Sequence, residues 1–383
     1  MERKCKIITI ALFMIILCGV GLFTVLGGGK KYSVFEKREL APFPKTNVKT
    51  ITKGKFQSGL DNFLNDHVVF RDQCIYTTTM VDKMMGQAEK ADVYFGKDGY
   101  LIEKSIKATH KKIKENVDYL STFVNMAADS MGSKNVKVVL IPNKENVLTD
   151  KMPKYAPVSN DNTIMKKELW ESLKDKNMLV DLTKPLQKHK DEYIYYKTDH
   201  HWTSLGAKYG FQAMMKSLKQ KIHKRTPKVV TDQFLGTTYN KIHYATQKDI
   251  ITRYDEDEGL PKDTCGVDTE TTGEKRELKD IYDKGALKRE DKYEYFMGGN
   301  YGIASIHSHN TTNGKTLVLI KDSFANCMVP FLTDNYEEII MIDPRYLGGS
   351  IMEALSNVEK IDTMIVLFNE EKFMNNTDLW TLG

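Results

Sequence analysis

Leu317-Val318-Leu319-Ile320-Lys321-Asp322-Ser323-Phe324-Ala325-Asn326 is an apolar run that stops abruptly at Asp-Ser. A short continuous apolar run bounded by polar residues reads as a buried strand. In sheets of the α/β kind, ligands bind beyond the carboxyl ends of strands, which is where Ser323 stands. The plain alternative is that Asp322-Ser323 only caps a helix. Upstream, Lys197-Thr198-Asp199-His200-His201-Trp202-Thr203 puts an acid, two imidazoles, an indole and a hydroxyl into seven residues. A carboxylate two positions before a histidine can reach that ring's Nδ1 when the backbone turns. The contact fixes the tautomer and leaves Nε2 free as a base. Ser323, His201 and Asp199 are therefore candidate nucleophile, base and orienter. His200 points elsewhere if alternation holds locally. Histidine pairs also serve as ordinary packing residues. A metal site is not indicated, since zinc usually draws on spaced His/Cys pairs and neither Cys-x-x-Cys nor His-Glu-x-x-His occurs.

Outward from these two stretches, strands and helices alternate. Val136–Ile141 is a strand ended by Pro142, a helix covers Leu169 to Lys176, and Met178–Leu182 is a strand. A helix follows from Ser204 to Leu218. Later come strand Thr316–Ile320, a helix from about Phe324, strand Glu338–Ile342, helix Ile351–Val358 and strand Thr363–Phe368. Such alternation argues for an α/β fold with a mainly parallel sheet flanked by helices. Ser323, Asp343 to Arg345 and Asn369 all fall just past a strand and can converge; Asp181 is placed similarly. Before this region, residues 50–90 read as helical, with Phe56, Leu60, Phe63 and Leu64 at helix spacing. Asp92 to Glu103 reads as a hairpin turning at Lys97-Asp98-Gly99. Ile106 to Met131 is a lysine-rich amphipathic helix. Residues 226–315 change character, with short apolar pieces between Thr-, Asp-, Lys- and Gly-rich segments, and read as a β-rich insertion. Within it, the acidic cluster Asp255-Glu256-Asp257-Glu258 lacks the calcium-loop pattern and reads as exposed loop. His307 and His309 share a strand face and read as surface residues before a hairpin turn at Asn313-Gly314.

The 383 residues exceed one typical domain, and a hydrophobic content of 41% suffices for a core. The net charge of +5 is small against 56 basic and 51 acidic residues, and no basic run with interleaved aromatics favours nucleic acid. Ile7 to Leu26 carries no charge and is long enough to span about 30 Å as a helix. Arg3, Lys4 and Lys6 before it argue for a cytoplasmic N-terminus and an external remainder. A cleavable signal is the rival reading, but the stretch is long and no clear Ala-x-Ala site follows. The expected layout is a tail at 1–6, an anchor at 7–26, a linker and helical segment at 27–90, and a main domain at 91–383 with its insertion at about 226–315. Cys5 and Cys18 belong to the anchor. Cys74, Cys265 and Cys327 remain, an odd number that allows at most one bridge.

Asp199-His200-His201-Trp202 followed by Thr203 and Gly206-Ala207, with the later Lys321-Asp322-Ser323-Phe324-Ala325-Asn326, resembles the bacterial DHHW proteins. These are relatives of the AlgX and AlgJ alginate O-acetyltransferases in the SGNH-hydrolase-like group. Further landmarks occur in consistent order. They are Phe35 to Pro44, Asp66-His67 with Phe70-Arg71-Asp72, Gly96 to Leu101, Ile141 to Lys144, Gly236 to Tyr239, Gly298 to Tyr301, and Asp343 to Tyr346. The similarity runs over about residues 33–370. It implies an SGNH hydrolase-like fold with the serine motif after the Asp/His motif, a permuted order relative to ordinary SGNH hydrolases. It also implies Ser323 as nucleophile, His201 as base and Asp199 as orienter in acetyl transfer to a polysaccharide. No cofactor is implied. A membrane-bound O-acyltransferase (MBOAT) would pass acetyl groups across the bilayer. The Ser323 backbone N–H is an expected oxyanion donor, with Asn369, Asn300 and Arg345 as candidates for a second. Trp202, His200 and Tyr346 are expected to face the substrate. An acetylesterase using the same triad, and a non-catalytic glycan-binding or assembly protein, are the alternatives.

Overall fold

The computed structural model describes residues 2–27, 31–33, 38–157, 161–256, 266–271 and 274–383. Phe35 to Lys37, Asp257-Glu258 and Cys265, named above, lie outside them. The chain divides into two compact units, Met1–Ala91 with Tyr239–Tyr244, and Asp92–Thr238 with Ala245–Gly383.

In the first unit, α1 (Glu2–Gly27) contains Lys4–Thr24, which is long and apolar enough to cross a membrane. Among the described residues of this helix most side chains are exposed, while Thr24 is buried where the Val69 N–H donates to its hydroxyl at 3.4 Å. Helix α2 (Lys55–His67) turns Phe63 inward against Phe43, with ring centroids 5.2 Å apart. Helix α3 (Arg71–Met84) follows. Cys74 on it is free, as is the buried Cys327 of the second unit.

The second unit begins with the expected hairpin. Strands β1 (Val93–Phe95) and β2 (Leu101–Glu103) pair antiparallel, and Asp98 and Gly99 turn the chain with φ of 56° and 79°. Helix α4 (His110–Met131) is capped by the Thr109 hydroxyl and buries Ile113, Val117, Leu120, Val124 and Ala128, the stripe a 3.6-residue period dictates. Strand β3 (Val136–Ile141) is buried throughout. Helix α5 (Asp161–Ser172) starts earlier than the sequence pattern indicates and stops before Lys176. Its end is set by a tertiary partner. The Asn125 side chain on α4 donates to Ser172 O and accepts from Lys174 N, each at 3.0 Å. Strand β4 (Leu179–Asp181) and helix α6 (Ser204–Ser217) follow.

The stretch from 226 to 315 is less separate than its composition suggests. Strands β5 (Arg225–Phe234) and β6 (Asp249–Glu256) form their own two-stranded hairpin. Strands β7 (Gly266–Thr271), β8 (Glu274–Leu278) and β9 (Ile303–His307) instead extend the central sheet. With β10 (Thr316–Lys321), β11 (Glu338–Ile342) and β12 (Thr363–Asn369), the eight-stranded order is β8-β7-β9-β11-β10-β12-β3-β4. The five strands from β11 to β4 are parallel, and the other three pair antiparallel at one edge. Asn313-Gly314 does turn the chain, with Gly314 at φ 64°, but it closes no hairpin because β11 lies between β9 and β10. His307 sits at the exposed end of β9 and bonds Glu338, as expected of a surface histidine.

Alternate residues of β10 feed opposite cores. Leu317 and Leu319 pack on the α6 side with Phe211 and Met214, whereas Val318 and Ile320 pack with Val117, Leu120 and Leu169 of α4 and α5. Each such fully buried aliphatic side chain contributes roughly 1.5–3 kcal/mol. Helices α7 (Ile351–Ser356) and α8 (Glu370–Met374) complete the second layer through Ile351 and Phe373. This is the expected α/β architecture, a mostly parallel sheet flanked by helices. The carboxyl ends of the neighbouring strands β10, β12 and β3 come together at one edge of the sheet, where the candidate site lies.

Candidate active site

The segment 193–203 is a tight loop closed by its own backbone. Tyr195 and Trp202 form an isolated antiparallel bridge, Tyr196 N donates to His201 O at 3.2 Å, and Thr203 N to Ile194 O at 2.9 Å. Thr203 then caps α6 through its hydroxyl. The buried carboxylate of Asp249, at the start of β6, accepts from Lys197 N (2.7 Å), Thr198 N (2.6 Å), Thr198 Oγ1 (2.5 Å) and the Tyr193 hydroxyl. Four donors on one carboxylate fix the approach to Asp199. The indole of Trp202 runs inward, and its Nε1–H donates to Phe324 O at 2.9 Å, which ties this loop to the serine turn.

At the end of β10 the chain makes a short helical turn, Ser323–Cys327, rather than the regular helix the sequence suggests. Asp322 caps it, with Oδ1 accepting from Phe324 N at 2.9 Å. Its Oδ2 accepts from Asn369 N at 2.7 Å, bridging the ends of β10 and β12. The cap and the serine are thus the same motif: a capping aspartate fixes the turn, and the turn presents the hydroxyl. Ser323 is the first residue of that turn, so its own N–H has no intrahelical acceptor.

The two stretches meet. Ser323 Oγ lies 2.8 Å from His201 Nε2, and His201 Nδ1 lies 2.5 Å from Asp199 Oδ1. Asp199 is buried and its carboxylate is saturated. Oδ1 also accepts from His201 N at 2.9 Å, and Oδ2 from Thr237 N and Oγ1 at 2.7 and 2.9 Å. Burial opposes its charge, but the adjacent His201 and His200 and the bonds from His201 hold its carboxyl well below the usual range. His200 turns aside to bond Thr237 Oγ1 at 2.6 Å through Nδ1. Burial and the neighbouring His201 lower its basicity, with Asp199 opposing, so it stays neutral. A serine hydroxyl on an imidazole whose other nitrogen meets an ionised carboxylate can pass its proton and attack an electrophilic carbonyl.

The model of the family described as DHHW protein matches residues 111–342, which include both stretches. This chain belongs to the DHHW family. Among curated proteins, the probable alginate O-acetylase AlgJ of Pseudomonas syringae pv. tomato is 23% identical over 225 residues, 58% of this chain and 54% of that protein. The match thus spans about half the length of that relative. Among solved structures, Bacillus cereus PatB1 superposes with a TM-score of 0.60 at 19% identity, covering 75% of this chain and 97% of that one. A DHHW family protein from Eubacterium siraeum gives 0.57 at 21%, covering 77% and 95%. At these identities the structural likeness speaks for the fold alone.

The four residues that spell DHHW differ in placement: His201 meets Ser323, Asp199 lies behind His201, His200 borders a cleft, and Trp202 is internal. Trp202 is 0% exposed, so the expectation that it meets substrate is corrected; it braces the serine turn instead. Tyr346 is exposed, with the Arg345 guanidinium 5.4 Å from its ring centre. Asn369 is a second correction. Its Nδ2 donates to Ile141 O (3.2 Å) and Asn143 Oδ1 (2.9 Å), so both amide hydrogens are committed to holding β12 against β3. Part-buried Asn300 and exposed Arg345 flank an ionic network whose buried members are Lys321, Asn326 and Asp343. Lys321 Nζ meets Asn326 Oδ1 (3.0 Å), Asn300 Oδ1 (3.2 Å) and Asp343 Oδ2 (3.4 Å), and Arg345 forks onto Asp343 at 2.8 and 2.6 Å. Asp199, His200 and His201 offer atoms within 4.8 Å of one another, close enough for a metal by distance. Their hydrogen bonds already use both oxygens of Asp199 and both nitrogens of His201, so an ion there would have to break the array.

Several members of this DHHW site escaped the sequence reading. Tyr293 stacks flat on His201 and donates to Ser323 O at 3.0 Å. Lys144 is buried, with Nζ on Asp199 O (2.6 Å) and Leu101 O (2.9 Å), and burial lowers it to about 8 against the pull of Asp249 and Asp199. Thr237 and Asp249 hold the Asp-His loop as described. Lys144, Gly236 and Thr237 fall inside landmarks of the family resemblance, which was their one available signal. Tyr293 and Asp249 lie in the region read as an insertion and had none. Gly236 is required by space, because a Cβ there would come within 2.2 Å of the Asp199 Cβ.

Proposed function

We propose that this protein is a membrane-anchored, extracytoplasmic O-acetyltransferase that moves acetyl groups onto a polysaccharide through Ser323. The observation that carries the reading is the hydrogen-bonded series Asp199–His201–Ser323, with contacts of 2.5 and 2.8 Å. It is supported by membership of the DHHW family and by the likeness to a protein named for alginate O-acetylation.

In the first step His201 Nε2 takes the Ser323 proton as Oγ bonds to the acetyl carbonyl carbon. The tetrahedral adduct collapses, the donor's oxygen leaves with that proton, and acetyl-Ser323 remains. In the second step an acceptor hydroxyl gives its proton to His201 and attacks the acetyl carbon. Collapse releases the acetylated acceptor, and Ser323 Oγ recovers the proton. Asp199 stays ionised and holds the imidazole in the tautomer this requires. The Ser323 N–H, aimed by the capped turn, serves as one oxyanion donor; each such donor is worth about 10²–10³ in rate. The helix Lys4–Thr24 would keep the site near an acetyl supplier in the bilayer, in the manner of a membrane-bound O-acyltransferase.

The test is capture of the acetyl group. Full-length protein given an activated acetyl ester should gain one acetyl on the peptide containing Ser323, and should pass it to an added oligosaccharide faster than to water. Ser323→Ala should lose both reactions while remaining folded. Transfer to water alone would establish an esterase. Wild-type transfer by Ser323→Ala would remove the serine from the mechanism.

A further inference from the structure

Helix α3 rests on its own unit by one side. Thr79 is buried there with its hydroxyl 2.9 Å from Ile242 O, and Lys83 Nζ, four residues on and so on the same side, donates to the Tyr244 hydroxyl at 3.3 Å. Away from that side, Cys74, Thr77, Val81 and Met84 follow one another at steps of three and four residues, which align along one face of a helix. All four are exposed, Met84 by 77%. None is charged, and the Thr77 hydroxyl donates to Gln73 O at 2.8 Å, turning its polar end to the helix backbone. Arg71, Asp72, Asp82 and Lys83 lie off this stripe; Arg71 Nε donates to Asn65 O at 2.9 Å, and Asp82 accepts from Lys90 Nζ at 2.7 Å. Large apolar side chains bracket the stripe. Phe70, just before the first turn, is 70% exposed and holds the left-handed conformation at φ 62°, and Met85, just after the last, is 76% exposed.

Where the helix begins decides what covers this face. Thr24 closes the apolar segment Lys4–Thr24, and its hydroxyl accepts from Val69 N, so the chain enters α3 through Phe70 beside the end of that segment. An exposed aromatic at that level is of the residue type that settles at the membrane–water boundary. Resting on the reading of Lys4–Thr24 as a membrane anchor, we propose that the Cys74–Thr77–Val81–Met84 face of α3 lies on the lipid bilayer, in its headgroup layer. An uncharged stripe with charged flanks is what an interfacial helix presents to lipid. The 14 residues of α3 extend that contact about 21 Å from the span. A single span lets what it carries swivel, whereas this second contact holds the anchor's own unit at a fixed attitude to the membrane.

The test is chemical access in the full chain, held one copy per lipid disc of phosphatidylethanolamine and phosphatidylglycerol. A charged, membrane-impermeant maleimide is added, and each cysteine is read by peptide mass spectrometry, its rate divided by that of the same cysteine in urea. Native Cys74 and Met84→Cys should react at least tenfold slower than Tyr155→Cys, an 88% exposed site of the other unit. Val81→Asp together with Met84→Asp should bring Cys74 to within threefold of that control, while acetyl capture by Ser323 from a soluble ester keeps its wild-type rate. Fast reaction of Cys74 and Met84→Cys in discs that hold the chain overturns the proposal and leaves the anchor standing. So does protection of Cys74 that survives both aspartates. Protection found only in discs made with two chains assigns the face to a second copy and overturns it too. A chain that does not enter the discs overturns the anchor, and this proposal with it.

Discussion

The ring of Tyr293 lies flat on the imidazole of His201, with centroids 3.9 Å apart and planes 8° from parallel, while its hydroxyl donates to the carbonyl of Ser323 at 3.0 Å. One side chain thus orients the proposed base and the turn that carries the proposed nucleophile. Tyr293→Phe keeps the stack and removes one hydrogen bond, worth about 0.5–1.5 kcal/mol. Its kcat should stay within roughly tenfold of wild type. Tyr293→Leu keeps apolar bulk without a flat face, and its kcat for acetyl-ester turnover should fall further than that of Tyr293→Phe while KM changes little. Steady-state kinetics of the two variants check the order.

Gly236→Ala should be costly for its size. The added methyl would meet the Cβ and carboxylate of Asp199, so the acid or the 236–237 backbone must shift. Overpacking of this kind costs about 1–3 kcal/mol. Denaturation midpoints should drop accordingly, and turnover should fall as Asp199 leaves His201. Thr237→Val removes one of the two bonds to Asp199 Oδ2 while keeping the N–H bond, and should lie between wild type and Gly236→Ala.

Glu145 sets a pH dependence of stability. Its carboxyl is raised from 4.5 to about 6 by burial, so the unfolded chain releases this proton more readily than the folded one. The group's contribution is therefore full below pH 4.5 and is lost as pH rises through 6. The size is roughly 2 kcal/mol for a shift of this order. Wild-type stability relative to Glu145→Gln should fall between pH 4.5 and 6.5 and level off above. Urea titrations of both proteins across that range would show it, and a constant difference would count against the assignment.

Trp202→Phe tests the brace between the two stretches. It leaves the buried Phe324 carbonyl without the indole donor at 2.9 Å, a loss of about 1–3 kcal/mol. Acetyl capture by Ser323 should slow with it, because the displaced carbonyl belongs to the serine turn. Unchanged stability and capture would mean that the turn is held by the Asp322 cap alone.

Some of this was already decided in the chain. The apolar run Leu317–Ile320 ending at Asp-Ser, and a carboxylate two residues before a histidine, need only local chemistry to be read. The strands Val136–Ile141 and Glu338–Ile342 stand where their composition puts them, since strand and cap depend on near neighbours. The family landmarks carried Lys144 and Gly236 without saying what either does.

The rest was a matter of tertiary structure. Tyr293 comes from a stretch with no periodic signal, and only the folded sheet lays it on His201. Strands β7 and β9 join the sheet through partners tens of residues away in sequence, so local composition marks their region as an appendage although it forms an edge. Trp202 and Asn369 illustrate the same limit in reverse. Residue type makes either a fair ligand contact, but what their polar atoms bond, Phe324 O for one and Ile141 O and Asn143 for the other, depends on which strands end side by side. Sequence determines what a side chain can donate or accept; the packing of distant segments determines which partner is there, because a buried polar group must be satisfied by whatever the fold brings within reach.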